Sequence, residues 1–253
     1  MRKLGTILFG IGLGGLGILS LIYCDFAMVW QPVPDWVPWR GFLACASGIL
    51  LLAGGLGSLI GRTRTKAILV LTAFVFSWLL LLQVPRVVSH VSDEGMWLGF
   101  GECLLLCSGG WALFVSSAVA EGRNWGRFAS GDGGLRLARW LFGASLPLIG
   151  LSHFVYAAAT ASMIPAWIPG RLFFAYLTGS GHIAAGVGIL LGIFPAMAAT
   201  LEASMITLFV LLLHFPGVCT QPRDRLQWTM LLVATSYAGA AWGVAASLRR
   251  RRV

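Results

Sequence analysis

Long runs of apolar residues separated by short polar segments dominate the pattern along the chain. Eight runs are long enough to cross a hydrocarbon core of about 30 Å as helices of roughly 20 residues. They cover residues 5–24, 41–61, 67–85, 96–119, 140–159, 172–193, 196–215 and 227–247. None alternates with the period of two that marks a barrel strand, so helices must satisfy the backbone polar groups. The pattern predicts an all-α membrane protein with eight transmembrane helices.

Composition excludes a soluble domain, because 58% of the residues are hydrophobic and only 11% are charged, against about a quarter charged in soluble proteins. The first run follows the basic start Met1-Arg2-Lys3 and could be taken for a signal peptide. It is longer than a typical signal core, has no convincing small-x-small cleavage site, and places Tyr23 before Cys24, where a lipoprotein signal has a small residue. We expect a retained helix.

Positive charges are concentrated in alternate loops. If both termini lie on one side, all but five of the 18 Lys and Arg residues fall on that side. The five exceptions are Arg40, Arg86, Arg171, Arg223 and Arg225. Because cytoplasmic loops carry the excess of Lys and Arg, the sequence predicts a bacterial-type inner (plasma) membrane protein with both termini cytoplasmic. The net charge of +9 is explained by this topology and by attraction to anionic lipid, so the lipid bilayer is the expected partner and nucleic acid is not.

The chain matches itself when Pro34 is aligned with Pro165 and the same shift is applied along the sequence. The phrase Pro-x-Trp-x-Pro-x-Arg then coincides at 34–40 and 165–171. Gly48, Gly55, Pro85 and Trp97 likewise fall on Gly179, Gly186, Pro216 and Trp228. We call residues matched by this shift equivalent positions. Upstream of Pro34 the match needs an offset of about three residues, which sets Asp25 against His153.

This internal match predicts the organisation of the chain. We predict two parallel-repeat four-helix bundles, residues 1–121 and 139–253, joined by a cytoplasmic, basic, Gly-rich linker at 122–138. Each unit holds an even number of spans, so both have the same orientation in the membrane.

The repeated phrase has two interpretations. Trp36 and Trp167 suit the headgroup region, and Arg40 and Arg171 could hold the following helix at the interface. Proline stiffens such a loop, so the phrase could instead form a lid over a pocket between helices.

Several segments are similar to the DoxX-like family of small bacterial four-helix membrane proteins, here seen twice in one chain. The segments are GLSHF, IPAWIPGR, TGSGHIAAGVGILLG and LFVLLLHFPG in the second unit, and PDWVPWR, ASGILLLAGGLG and LLQVPR in the first. The resemblance implies a four-helix bundle. For some members it also implies a part in a membrane redox system such as thiosulfate:quinone oxidoreductase, whereas many members have no assigned activity.

Ionisable residues inside a span usually mark a site, and four stand out: Glu102, His153, His182 and Glu202. His153 and His182 are expected at a similar depth, and with Trp167 and Arg171 they could form an outer-side pocket that hydrogen-bonds a quinone-like headgroup. The alternative is a hydrogen bond that only positions two helices.

Glu102 is expected at a comparable depth in the first unit, where Leu51 takes the place of His182. Glu202 is interpreted as a lone carboxylate in the inner part of its span, serving either structure or a proton route.

The five cysteines form neither a metal motif nor a disulfide framework. Cys24 and Cys219 are both predicted near the outer surface, and a bridge between them would tie the two units.

Two histidines alone are weak evidence for a haem, and Walker A, HExxH and Gly-x-Ser-x-Gly motifs are absent from the sequence. No cofactor is evident from the sequence, which leaves a quinone open, and no metal is expected.

Two classes of function follow. The first is a membrane redox component that binds a quinone or another lipophile in the second unit and depends on a quinone alone or on a redox partner subunit. The second is a non-enzymatic membrane protein: a lipid- or small-molecule-binding module, a transporter, or a scaffold for a partner. The sequence does not decide whether any reaction is catalysed.

Overall fold

Helices form every regular element in the part of the chain that the computed structural model describes, residues 1–122, 125, 126 and 131–249. The helices are α1 Arg2–Tyr23, α2 Arg40–Leu59, α3 Arg64–Ser89, α4 Glu94–Ala120, α5 Asp132–Val155, α6 Ala157–Met163, α7 Arg171–Leu191, α8 Pro195–Thr220 and α9 Arg225–Leu248. The predicted all-α class is confirmed for these residues. Helix α5 begins inside the predicted linker 122–138, and Arg123, Arg127 and Arg250 to Arg252 of the charge analysis lie outside the described residues.

Seven of these helices are by themselves long and apolar enough to span a membrane, and the pair α5–α6 adds an eighth if it counts as one span. Large apolar side chains cover the outside, including Phe42 at 72%, Leu81 at 73% and Phe173 at 62% exposure. Such a surface is stable in lipid and would aggregate in water. The chain is a multi-pass membrane protein.

The prediction of one continuous fifth span over 140–159 was wrong. Helix α5 ends at Val155, and the chain bends by 91° before α6. Phe154, Val155 and Tyr156 are aromatic or β-branched residues, which extend a helix less readily than Leu or Ala. The phenol of Tyr156 also lies beside Glu94 at the start of α4.

Helices α3 and α8 each contain one wider π-helical turn, at Leu79–Gln83 and Val210–His214. Each turn ends two residues before a proline, Pro85 or Pro216. Proline lacks the backbone N–H and its ring clashes with the carbonyl one turn earlier, so a wider turn accommodates it. The two turns occupy equivalent positions, as do the starts of α2 and α7 and those of α4 and α9.

The helices pack in a ring that the two halves share. Helix α1 packs mainly against α2 and α9, and α5 packs mainly against α4 and α7. The remaining neighbours follow chain order, and α4 also contacts α9 across the middle. The first helix of each half thus packs against the last helix of the other half. Two separate four-helix bundles remain a prediction.

Candidate functional site: a cavity in the C-terminal half

A cavity of about 750 Å³ lies among α5, α6, α7, α8 and α9. Helix α4 contributes Glu102 and Leu105, and the segment between α1 and α2 contributes Trp30. Most of the wall is aliphatic or aromatic, for example Ile149, Met205 and Leu208. A mainly apolar cavity of this size with a few polar groups is typical of a small-molecule site.

His153 and His182 lie side by side in this wall, with their ring centroids 5.1 Å apart. Their closeness follows from the packing of α5 on α7 at Gly150 and Gly179. A Cβ atom on Gly179 would lie 2.7 Å from the Cβ of His153 and 2.9 Å from the carbonyl oxygen of Gly150. Only glycine permits this approach, which brings two imidazoles from neighbouring helices together.

Hydrogen bonds orient both imidazoles through the same nitrogen. Nδ1 of His153 lies 3.0 Å from the hydroxyl of Thr178, and that hydroxyl donates to the carbonyl of Phe174. Since its proton is committed, the hydroxyl accepts from Nδ1–H of His153. Nδ1 of His182 lies 2.7 Å from Oε1 of Glu202, and a carboxylate accepts. Each ring is left with Nε2 for another partner.

Glu202 was wrongly interpreted as a lone carboxylate. It is 1% exposed and pairs with His182, itself 3% exposed. Its other oxygen, Oε2, is buried and has no hydrogen-bond partner among the described residues. Buried polar atoms are usually satisfied, so this open acceptor beside a cavity-lining histidine is a candidate contact for a bound polar group.

A second polar group lines the cavity. Glu102 of α4 lies close to the phenol of Tyr237 and the indole of Trp30. A third imidazole, that of His214, comes from the π-helical turn of α8. Phe209 stacks on His153 at 6.4 Å between ring centroids and lies 6.0 Å from His182, so it covers the pair.

Trp167 and Arg171, the other two residues of the predicted pocket, differ in their placement. Trp167 lines the cavity while 73% of it is exposed, so it stands at the edge of the opening. Arg171 begins α7, is exposed, and is not among the residues that line the cavity. Its part in a ligand pocket stays a prediction, since a charged side chain at the first turn of a membrane helix extends towards water.

The N-terminal half keeps only a remnant of this cavity, about 20 Å³. Its lining includes Trp78, Gly99, Cys103 and Leu106. The equivalent positions in the C-terminal half are four residues of the large cavity: Phe209, Met230, Ala234 and Tyr237. Among the described residues, the ligand-sized cavity of about 750 Å³ therefore lies in the C-terminal half.

The polar residues that orient the histidines in the C-terminal half have equivalents in the N-terminal half that serve packing. Ser47, the equivalent of Thr178, accepts a hydrogen bond of 3.0 Å from the buried amide of Gln31. Leu51 and Leu71 are the equivalents of His182 and Glu202, and both are fully buried. An apolar pair thus replaces the imidazole–carboxylate pair.

The expected match of Asp25 with His153 was wrong. Gly17 approaches Gly48 as Gly150 approaches Gly179, so the packing of the first helices aligns Gly17 with Gly150 and sets Ser20 against His153. Asp25 instead forms ion pairs with Arg40 and with Arg225, whose Nη1 lies 3.0 Å from Oδ2. It joins the two halves outside the cavity.

No bond joins Cys24 to Cys219, and all five cysteines are free. Within residues 1–122, 125, 126 and 131–249, no three His, Cys, Asp or Glu side chains come together in a way that could hold a metal ion.

Sequence reasoning missed several residues of the cavity: Thr178, Phe209, His214 and Tyr237. His214 carried a usable signal, since it is an ionisable residue inside a predicted span. The others are common membrane-helix residues whose role depends on which way each helix faces.

Comparison with known proteins adds no family: no family model matches the chain, and neither the curated proteins nor the solved structures contain a match.

Proposed function

We propose that the C-terminal half binds a lipophilic molecule with a hydrogen-bonding headgroup, and that the quinone–quinol class suits the site best. The observation that carries the proposal is the pair His153 and His182 in the wall of a 750 Å³ cavity, each tied through Nδ1 to a fixed acceptor. Nε2 of a neutral imidazole accepts a proton or a hydrogen bond, and after protonation it donates one.

This chemistry matches a quinol more closely than a plain fatty chain. A quinol hydroxyl donates to Nε2, and a quinone carbonyl accepts from the protonated ring. The Glu202 carboxylate behind His182 accepts from Nδ1–H and fixes the orientation of the imidazole, as an acidic orienting group does in general acid–base sites. The apolar remainder of the wall contacts the ring and the tail.

The route into the cavity favours a ligand that dissolves in the bilayer. Leu177 of α7 and Leu208 and Leu212 of α8 line the cavity and are 39% to 52% exposed. An opening between α7 and α8, both membrane-spanning helices, would let a lipophile enter from the bilayer without crossing water.

A redox role requires an electron donor or acceptor beyond this chain's own side chains. We therefore place the protein as the quinone-binding component of a membrane redox system with a partner subunit. The alternative is non-enzymatic: binding or transport of a lipid or small molecule, or a scaffold. The cavity supports both, and the histidine pair favours the first.

We further propose that the chain consists of two tandem parallel repeats of DoxX-like type in a bacterial inner membrane, with both termini cytoplasmic. The equal spacing of the π-helical turns and helix starts supports the repeats. The excess of Lys and Arg on one side supports the orientation.

The test is mass spectrometry of lipophiles that co-purify with the protein in mild detergent. We expect wild type to retain a quinone and the double variant His153→Ala, His182→Ala to lose it by about tenfold or more, the effect of two lost hydrogen bonds. His90→Ala is the matched control, because His90 is exposed beyond the end of α3.

Titration of the emptied proteins with a short-chain benzoquinone, followed by tryptophan fluorescence, measures the same difference directly, since Trp30 and Trp167 line the cavity. Retention of another lipid in place of a quinone would favour the non-enzymatic alternative. Equal binding by wild type and the folded double variant would refute the site.

A further inference from the structure

Two cysteines meet at the junction of α1 and α2, far from each other in sequence. The sulfur of Cys24 lies 3.2 Å from the sulfur of Cys45, and the two residues are 21 positions apart. Cys24 is exposed and Cys45 is partly exposed, whereas Cys103 and Cys107 are buried. Cys219, which was predicted near the outer surface together with Cys24, is also exposed.

The local fold brings these two thiols into contact. Cys24 ends α1 in the left-handed conformation, with φ of 44°, and so lies outside the regular helix. Cys45 lies in the second turn of α2, which packs closely on α1. A disulfide bond is about 2.05 Å long, so the sulfurs must approach by only about 1.2 Å, a shift that side-chain rotation at the end of a helix can supply.

We propose that Cys24 and Cys45 form an intrachain disulfide and that this pair is a site of oxidative modification by disulfide-bearing oxidants. The exposed Cys24 thiolate attacks one sulfur of the oxidant RSSR and releases one thiol, leaving Cys24 in a mixed disulfide. The Cys45 thiolate then attacks the Cys24 sulfur and releases the second thiol. Two protein thiols lose two electrons and two protons, and the oxidant becomes two RSH.

The ion pairs next to Cys24 indicate what the disulfide bond would stabilise. Cys24 directly precedes Asp25, which pairs with Arg40 of α2 and Arg225 of α9. A bond from Cys24 to α2 therefore holds the end of α1 where Asp25 connects the two halves. On the predicted topology this junction lies at the outer face, where disulfides persist.

The experiment uses the full chain with Cys219→Ser, which removes the remaining exposed thiol. The protein is reduced, freed of reductant, treated with glutathione disulfide, and capped with a maleimide. We expect a product about 2 Da lighter than the reduced protein, without bound glutathione, that yields a cross-linked peptide containing Cys24 and Cys45. Its thermal midpoint should lie a few degrees above that of the reduced protein.

The single variants separate the two steps. With Cys45→Ser, glutathione should remain on Cys24 because the resolving thiol is gone. With Cys24→Ser, the cross-link should disappear. Glutathione that stays on Cys24 in the presence of Cys45, or two thiols that both react with maleimide after the oxidant, would overturn the proposal. Wild type answers the same question by peptide mapping if a variant does not fold.

Discussion

Replacing the buried pair His182 and Glu202 by two leucines tests whether the pair belongs to a site or to the scaffold. The N-terminal half carries Leu51 and Leu71 at the equivalent positions, both fully buried. The double variant His182→Leu, Glu202→Leu therefore copies a packing that the chain already uses. Replacing a buried polar pair by well-packed apolar residues is often neutral or stabilising.

The expected changes in the free energy of unfolding follow from the burial of the two side chains and from their hydrogen bond. His182→Leu alone leaves both oxygens of Glu202 buried without a partner, where Oε2 already has none. Glu202→Leu alone leaves Nδ1–H of His182 unsatisfied. We expect each single change to lower the free energy of unfolding by about 2 kcal/mol. The double variant should lie within about 1 kcal/mol of wild type, a coupling energy of roughly 3 kcal/mol.

The measurement is reversible unfolding in mixed micelles followed by circular dichroism, for wild type, both single variants and the double variant. Additive losses of about 4 kcal/mol in the double variant would refute the reasoning, because the pair would then contribute stability that leucines cannot replace. A stable double variant that no longer retains the co-purified lipophile would show that the pair serves binding.

Three further predictions rest on other parts of the fold. Phe209→Trp introduces the residue found at the equivalent position, Trp78, beside the 20 Å³ remnant. This variant should keep the fold but lower the amount of co-purified lipophile about tenfold. Retention at the wild-type level, measured by mass spectrometry, would contradict the prediction. Burial raises the pKa of Asp25, but hydrogen bonds from two arginines outweigh this and hold it below the usual 3.8. Stability from Asp25 is therefore present above pH 3.8 and lost as pH falls through the lowered pKa, so thermal melts from pH 6 to 3 should show a loss that Asp25→Asn lacks. Gly179→Ala should lower the free energy of unfolding by about 2 kcal/mol, because the added methyl group would press on His153. The control Gly61→Ala has open space around it and should change the free energy of unfolding by no more than about 0.5 kcal/mol. Equal melting temperatures for the two variants would contradict this.

The helical fold was largely predictable because apolar runs in a membrane can form only a few structures. Eight runs were predicted, and seven helices plus one bent pair are observed. The bend at Tyr156 escaped prediction because its contact with Glu94 joins segments far apart in sequence. The π-helical turns escaped it as well, although a proline inside each run was a signal that the helix there must adapt.

The site was predictable in its residue types but not in its contacts. His153, His182 and Glu202 stood out as ionisable residues within apolar runs. Their hydrogen bonds depend on how each helix is rotated, and a turn of about 100° per residue makes an error of one position decisive. Arg171 shows the same dependence, since it is close in sequence to Trp167 but is not among the residues that line the cavity.

The contrast between the halves is the strongest argument that the cavity has a use. Both halves have the same helix spacing and the same glycine-mediated packing, so a filled interior was available to each. In the N-terminal half, Trp78 and Leu51 fill the interior, and Ser47 accepts a hydrogen bond from the amide of Gln31. The C-terminal half leaves about 750 Å³ open and keeps a buried carboxylate beside it. Open space and buried polar groups both cost stability, and a bound ligand that contacts the histidines and the apolar wall would offset both costs.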